Sequence, residues 1–250
     1  MARLTFISDL HLHTKPGGVD AHFAALLAEL RARQERGEAQ ALYVVGDLFS
    51  FWTDRALVAR LYAAPLDQIS ELARSGCRVT ILEGNRDFGF AGVLRAATGA
   101  ELAGEEHMVV NGDEKALLLH GDQLLTADRR YQVFKRVVRS FPARLAARIL
   151  PSPLLLWAVR RLERVSSREK ARKTSEQMQV DDEVSVRRMQ AAGARFLIHG
   201  HTHEPGRRQV ALPAGEGTCF NLGEWNDEGG VILDWPEGSG PRLVHWPSDR

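Results

Sequence analysis

The chain has 250 residues, 44% of them hydrophobic and 26% charged, with a formal net charge of +1. That length and apolar content suit one α/β domain with a full core, and the two cysteines, Cys77 and Cys219, exclude a disulfide framework and point to a reducing compartment. No stretch approaches the roughly 20 apolar residues that span a bilayer, and Met1-Ala2-Arg3 leads straight into a short apolar run, so no signal peptide and a cytoplasmic location are expected.

Leu4-Thr5-Phe6-Ile7 reads as a buried strand delivering the chain to Asp9-Leu10-His11. Residues 19–36 predict an amphipathic helix with Phe23, Leu26, Leu27 and Leu30 on one face. A second buried strand, Leu42-Tyr43-Val44-Val45, ends at Gly46-Asp47. Residues 56–75 predict a helix apart from Pro65, and residues 78–82 the strand feeding Gly84-Asn85-Arg86-Asp87. Leu117-Leu118-Leu119 leads into His120-Gly121-Asp122. A helix ends at Gly193, and Arg195-Phe196-Leu197-Ile198 then runs into Gly200-His201-Thr202-His203. Segments 218–222, 231–234 and 243–246 predict short strands that close a second sheet. With no repeat, low-complexity tract or separate second domain, residues 1–250 are expected to form one domain.

One segment interrupts this alternation. Residues 129–173 carry 14 Lys and Arg against two acids, Glu163 and Glu169, so the segment is +12 and the remainder −11. Such asymmetry points to an anionic partner. The segment lacks the interleaved aromatics of a single-strand nucleic-acid binder, and is apolar as well as basic, with Leu154, Leu155, Leu156 and Trp157 near Arg160, Arg161 and Arg164. Pro142, Pro151 and Pro153 divide it into short helices. A helical lid over approximately residues 129–175 would account for both properties, pairing an apolar face with a basic rim.

The five loop clusters contain seven side chains of metal-ligand type: Asp9, His11, Asp47, Asn85, His120, His201 and His203. In an α/β sheet, loops after the strand carboxyl ends converge on one crevice. Carboxylate, imidazole and amide oxygen without thiolate suit manganese, iron or zinc. Asp47 can bridge two ions, with Asp9, His11 and His203 on one and Asn85, His120 and His201 on the other. Two ions roughly 3.5–4 Å apart hold a hydroxide and neutralise a phosphoryl group, which is phosphoester hydrolysis. Asp122 and His199 would support these ligands, whereas His13, His22, His107 and His245 fit no cluster.

In order and spacing these clusters resemble the calcineurin-like metallophosphoesterase superfamily. Longer strings narrow the likeness: Ile7-Ser8-Asp9-Leu10-His11-Leu12, Gly46-Asp47-Leu48-Phe49 with Trp52, Gly84-Asn85-Arg86-Asp87-Phe88, His120-Gly121-Asp122 with Thr126, Asp128 and Tyr131, His199-Gly200-His201-Thr202-His203, and Leu222-Gly223-Glu224-Trp225. They are similar to the UDP-2,3-diacylglucosamine hydrolases of lipid A synthesis. The resemblance implies a β-sandwich flanked by helices with the lid inserted. It implies a manganese-dependent hydrolase in which a metal hydroxide attacks the α-phosphorus of UDP-2,3-diacylglucosamine, giving UMP and 2,3-diacylglucosamine 1-phosphate at the cytoplasmic face of the inner membrane, with no nucleic acid and no obligate protein partner. The alternative is a dimetal phosphodiesterase or pyrophosphatase acting on another nucleotide or lipid phosphoester.

Carried over by position, the resemblance gives Asp47, Asn85 and Arg86 as catalytic residues, and Asn85, Arg86, Asp128, Ser166, Lys170, Lys173 and His201 as substrate contacts. Arg86 stands where most of the superfamily has His; a guanidinium keeps its proton, so its role is electrostatic. Lys170 replaces the family's usual Asn or Thr, and Glu204 the more usual Arg.

Overall fold

The computed structural model describes residues 3–87, 89, 92–125, 150–154, 157, 161, 180–213 and 215–247. Two sheets carry the fold. In the first, β1 (Arg3–Ile7), β2 (Gln40–Val45), β3 (Arg78–Leu82) and β4 (Glu101–Ala103) run parallel, and β10 (Gly230–Pro236) and β11 (Arg242–Trp246) extend it antiparallel beyond β1. In the second, β6 (Glu114–Leu119), β7 (Phe196–His199) and β9 (Gly215–Asn221) are parallel, with β5 (Glu106–Asn111) and β8 (Gly206–Leu212) antiparallel at the edges.

Strand alternation sorts the apolar side chains into layers. Phe6, Tyr43, Val45 and Leu82 face Leu118, Phe196, Ile198 and Phe220 of the other sheet in one core. The intervening residues Ile7, Leu42, Val44, Val79 and Ile81 point the other way, onto a core shared with Phe23, Leu26, Leu27 and Leu30 of α1 (Gly18–Glu35) and with Leu66, Ile69 and Leu72 of α3 (Ala63–Arg74). A third core, with Leu117, Leu119 and Leu197, lies under Val184 and Met189 of α5 (Asp182–Ala192). Each of these buried side chains contributes about 1.5–3 kcal/mol. The result is a helix–sheet–sheet–helix sandwich in which the central parallel strands are covered on both faces, hence their unbroken apolar runs. Among the described residues no helix is long and apolar enough to cross a membrane.

Three expectations change. Segments 231–234 and 243–246 are strands, but as β10 and β11 they extend the first sheet; of the three closing segments only 218–222 joins the second, as part of β9. The predicted helix over 56–75 is two, α2 (Ala56–Leu61) and α3, divided at Tyr62 rather than at Pro65. Tyr62 is pinned by packing against Phe49, with ring centroids 4.6 Å apart, while Pro65 falls in the first turn of α3, where no intrahelical donor is needed. Strands β4, β5 and β8 are additions to the sequence reading. The remaining described α-helix, α4 (Gly92–Thr98), is capped from a distance by Asp54, which accepts the N–H groups of Val93 and Leu94 at 3.1 Å.

Asp234 fastens β10 to both neighbours. Its buried carboxylate accepts from Arg3 Nη2 on β1 at 2.7 Å and from Arg242 Nη2 on β11 at 3.0 Å. Burial alone would raise the carboxyl, but the Arg3 and Arg242 hydrogen bonds and charges outweigh it and hold it below the ordinary value. A depressed carboxylate stabilises above its unfolded pKa, and that stabilisation is lost as pH falls through the folded value. Asp234→Asn is therefore expected to lower stability at neutral pH by about 1–2 kcal/mol. In urea unfolding across pH, its deficit against the parent should narrow below about pH 4; a pH-independent deficit would show that charge is not what Asp234 contributes.

Candidate metal centre

The loops leaving β1, β2, β3, β6 and β7 meet at one end of the sandwich. Among the described residues, five non-glycine residues have positive φ: Asp9 at 53°, His11 at 48°, Asp47 at 51°, His201 at 72° and His203 at 65°. All five are sequence-predicted ligands. Such conformations cost on the order of 1–3 kcal/mol each and persist where the surroundings over-determine them. Here Asp9 N–H donates to Gly46 O at 3.2 Å, His11 N–H to Asp47 O at 3.0 Å and Leu12 N–H to Leu48 O at 2.9 Å, lacing the first two loops together.

Asp9 and Asp47 are buried between the imidazoles. Asp9 Oδ2 accepts the His201 N–H at 2.9 Å, while Oδ1, buried and without a hydrogen bond among the described residues, lies 3.6 Å from His203 Nε2 and 3.8 Å from His11 Nε2. Asp47 Oδ2 is 3.7 Å from His11 Nδ1, and its Oδ1 is 3.7 Å from His120 Nε2 and accepts the Arg86 N–H at 2.9 Å. Asp9, His11 and His203 thus offer donor atoms within 4.8 Å of one another, and so do Asp9, Asp47 and His120. His120 Nε2 lies 2.8 Å from Asn85 Oδ1 and 3.2 Å from His201 Nδ1. Turned over, the Asn85 amide would instead donate to Asp47 Oδ2 at 2.7 Å and to His120 Nε2 at 2.8 Å.

The electrostatics fit a cationic occupant. Burial, with the neighbouring Asp47, raises the Asp9 carboxyl against the pull of His120 and His203. Burial opposes charge on His120, yet Asp47, Asp9 and Asp122 outweigh it and raise the imidazole to about 9. A divalent ion held there displaces that proton. Hard and intermediate donors converging on an orphaned carboxylate oxygen form a coherent divalent-metal donor set. His199 differs: burial lowers it to about 4, and its Nδ1 meets Gly200 O at 2.9 Å, so it supports the histidine loop as a neutral ring.

Two glycines keep the loops this close. A Cβ on Gly84 would stand 2.1 Å from Asp47 Oδ1, and one on Gly200 2.1 Å from Asp9 Oδ2. Arg86 is half-buried, with Nε 3.9 Å from Asp47 Oδ2. Asp128, Ser166, Lys170 and Lys173 lie outside the described residues, as does most of 129–175. Within that segment, Arg55 holds Leu150 O at 2.7 Å and Ser152 Oγ at 3.2 Å, and Leu154 and Trp157 are exposed.

Sequence reasoning gave Asp87 no role. Its buried carboxylate gathers three backbone donors, Gly84 N–H and Asp47 N–H at 3.0 Å and Phe49 N–H at 3.1 Å, and so clamps the second loop to the third. Burial, then Asp47, pushes its carboxyl well up. Asp87→Ala strands those donors and is expected to cost about 3 kcal/mol or more in urea unfolding; a loss under about 1 kcal/mol would mean that the loops hold each other without it.

The sequence profile described as calcineurin-like phosphoesterase matches residues 2–205. The UDP-2,3-diacylglucosamine hydrolase of Ectopseudomonas mendocina (strain ymp) is 34% identical over 229 residues, 92% of this chain and 93% of the relative. That of Neisseria meningitidis serogroup B (strain ATCC BAA-335 / MC58) is 35% identical over 231 residues, 91% and 92% of the two chains. That of Azotobacter vinelandii (strain DJ / ATCC BAA-1303) is 32% identical over 243 residues, 97% and 98%. With a profile that reaches from β1 past the histidine loop, and relatives aligned nearly end to end, the chain belongs to the calcineurin-like phosphoesterase family.

Proposed function

We propose that this chain hydrolyses the pyrophosphate bond of UDP-2,3-diacylglucosamine, releasing UMP and 2,3-diacylglucosamine 1-phosphate. The observation that carries the reading is Asp47, one buried carboxylate facing His11 on one side and His120 on the other, each at 3.7 Å. Asp9, His11, Asp47 and His203 would hold one divalent ion, and Asp47, Asn85, His120 and His201 a second. Bound there, two such ions supply an activated water and neutralise charge on a phosphoryl group during in-line displacement. Manganese is the ion we favour, on family resemblance; the same donors accept iron or zinc.

The chain's own residues do the rest. Arg86, whose guanidinium lies beside Asp47, would donate forked hydrogen bonds to phosphate oxygens as charge develops. Asn85 carries its amide at the same edge, and its backbone neighbour Arg86 ties the loop to Asp47. No protein nucleophile is needed, because water attacks directly. The substrate assignment rests on relatives of that name over more than nine-tenths of this chain.

Residues 129–175, inserted in a single domain, would act as the lid, with Asp128, Ser166, Lys170 and Lys173 contacting the nucleotide or sugar. Its +12 charge and the exposed Leu154 and Trp157 suit an anionic, acylated substrate drawn from the cytoplasmic face of the inner membrane.

Metal-stripped protein should release UMP from UDP-2,3-diacylglucosamine only after manganese is added, and Asn85→Ala should abolish that release. Arg86→Ala should lower kcat by about 10²–10³. Metal-dependent cleavage of a generic phosphodiester without UMP release would keep the metal centre and sink the lipid assignment.

A further inference from the structure

The loop after β9 is locked into the candidate centre by its backbone. Leu222 N–H donates to His199 O at 2.8 Å, Glu224 N–H to His203 O at 3.3 Å and Trp225 N–H to Asp9 O at 3.2 Å. Ser8 Oγ donates to Gly223 O at 3.4 Å. The Cα of Glu224 is thus held between the histidine loop and the first loop, two of the segments that carry the donors. Its side chain turns inward from there. Oε2 lies 2.5 Å from His203 Nδ1, and Oε1 lies 3.7 Å from His11 Nε2.

We propose that Glu224 is a positioning residue for the first half of the metal centre, an inference that rests on the metal-centre reading above. An ionised carboxylate only accepts, so His203 Nδ1 carries the hydrogen of that contact. The lone pair then belongs to Nε2, the atom facing Asp9 Oδ1 at 3.6 Å. One carboxylate therefore does two things. It selects the tautomer and ring orientation in which His203 can ligate, and it adds a negative charge beside two imidazoles that would share a dication. Asp9 and Asp47 supply the buried charge; Glu224 supplies charge from the solvent side, its side chain 35% exposed.

A part-buried hydrogen bond from a neutral imidazole to a carboxylate would ordinarily contribute little to folding, about 0.5–1.5 kcal/mol. The two possibilities separate cleanly, because a structural role moves the unfolding midpoint of the metal-free protein and a positioning role moves metal affinity. The probe is manganese alone, titrated into metal-stripped full-length protein and followed by calorimetry and by the electron paramagnetic resonance of free Mn²⁺. Glu224→Ala should weaken the first-cluster site by about 10–100-fold while leaving the metal-free urea midpoint unchanged. Glu224→Gln, which keeps an acceptor for Nδ1–H but loses the charge, should fall between Ala and the parent. Nitrogen NMR of the His203 ring should report the Nδ1–H tautomer in the parent and a mixture in Glu224→Ala. Parental Mn²⁺ affinity in both variants overturns the inference, and so does a loss of affinity matched by a shifted metal-free midpoint. If Glu224→Ala does not fold, Glu224→Gln with parental affinity overturns it alone. A parent that binds no Mn²⁺ overturns the metal-centre reading itself and this inference with it, an outcome distinct from the others.

Discussion

Three carboxylates, Asp9, Asp47 and Asp87, are buried side by side where β1, β2 and β3 end. An ion taken from water into a protein interior costs several kcal/mol after relaxation, and like charges add repulsion. Almost every local oddity of the chain follows from accommodating them. Backbone N–H groups of His201, Gly84, Phe49, Arg86 and Asp47 turn toward the carboxylates, the same loops hold five non-glycine residues at positive φ, and the close approach excludes a Cβ at Gly84 and Gly200. The same loops could not hold such geometry unsupported. They hang from parallel strands whose side chains are buried on both faces, so the strand ends are fixed before the loops begin.

Stacking two sheets, rather than widening one, explains how the histidines arrive. His120 and His201 leave the second sheet, and Asp9, Asp47 and Asn85 the first; the shared core of Phe6, Tyr43, Leu118 and Ile198 sets the two sets of loops at one end. The carbonyl of Val45 at the end of β2 receives His120 Nδ1 at 3.1 Å, a direct tie between sheets within the centre. Trp52 N–H on Arg86 O, at 3.4 Å, secures the third loop to the segment from which Arg55 reaches Leu150 O. Site and sandwich are therefore joined through a few hydrogen bonds.

What the sequence made legible was whatever leaves a local pattern. Strands β1, β2, β3 and β7 are continuous apolar runs because both faces are buried, and each run stops at a polar cluster. Edge strands carry no such run: β5 reads EHMVVN and β8 reads GRRQVAL, with exposed residues along one face. Nor do a strand's own residues say which sheet it joins: β10 pairs with β1 in the first sheet, where Asp234 meets Arg3 of β1. Asp87 and Glu224 were visible as letters in matching strings, but a lone acid has the same local pattern whether it ends a turn or clamps a ligand. Only the partners brought from 38 to 40 residues away, for Asp87, and from 21 for Glu224, distinguish the two.

Two buried histidines of the second sheet show how the surroundings set an imidazole's character. His120 and His199 are both fully enclosed, and burial alone opposes a charge on either. They diverge because of what they face. His120 looks onto Asp47, Asp9 and Asp122, which outweigh burial and raise it to about 9. His199 looks onto the Gly200 carbonyl with Arg208 and His120 adding positive potential, and falls to about 4. The same acidic surroundings that favour a proton on His120 would favour a metal ion there, which would compete with that proton for the imidazole lone pair.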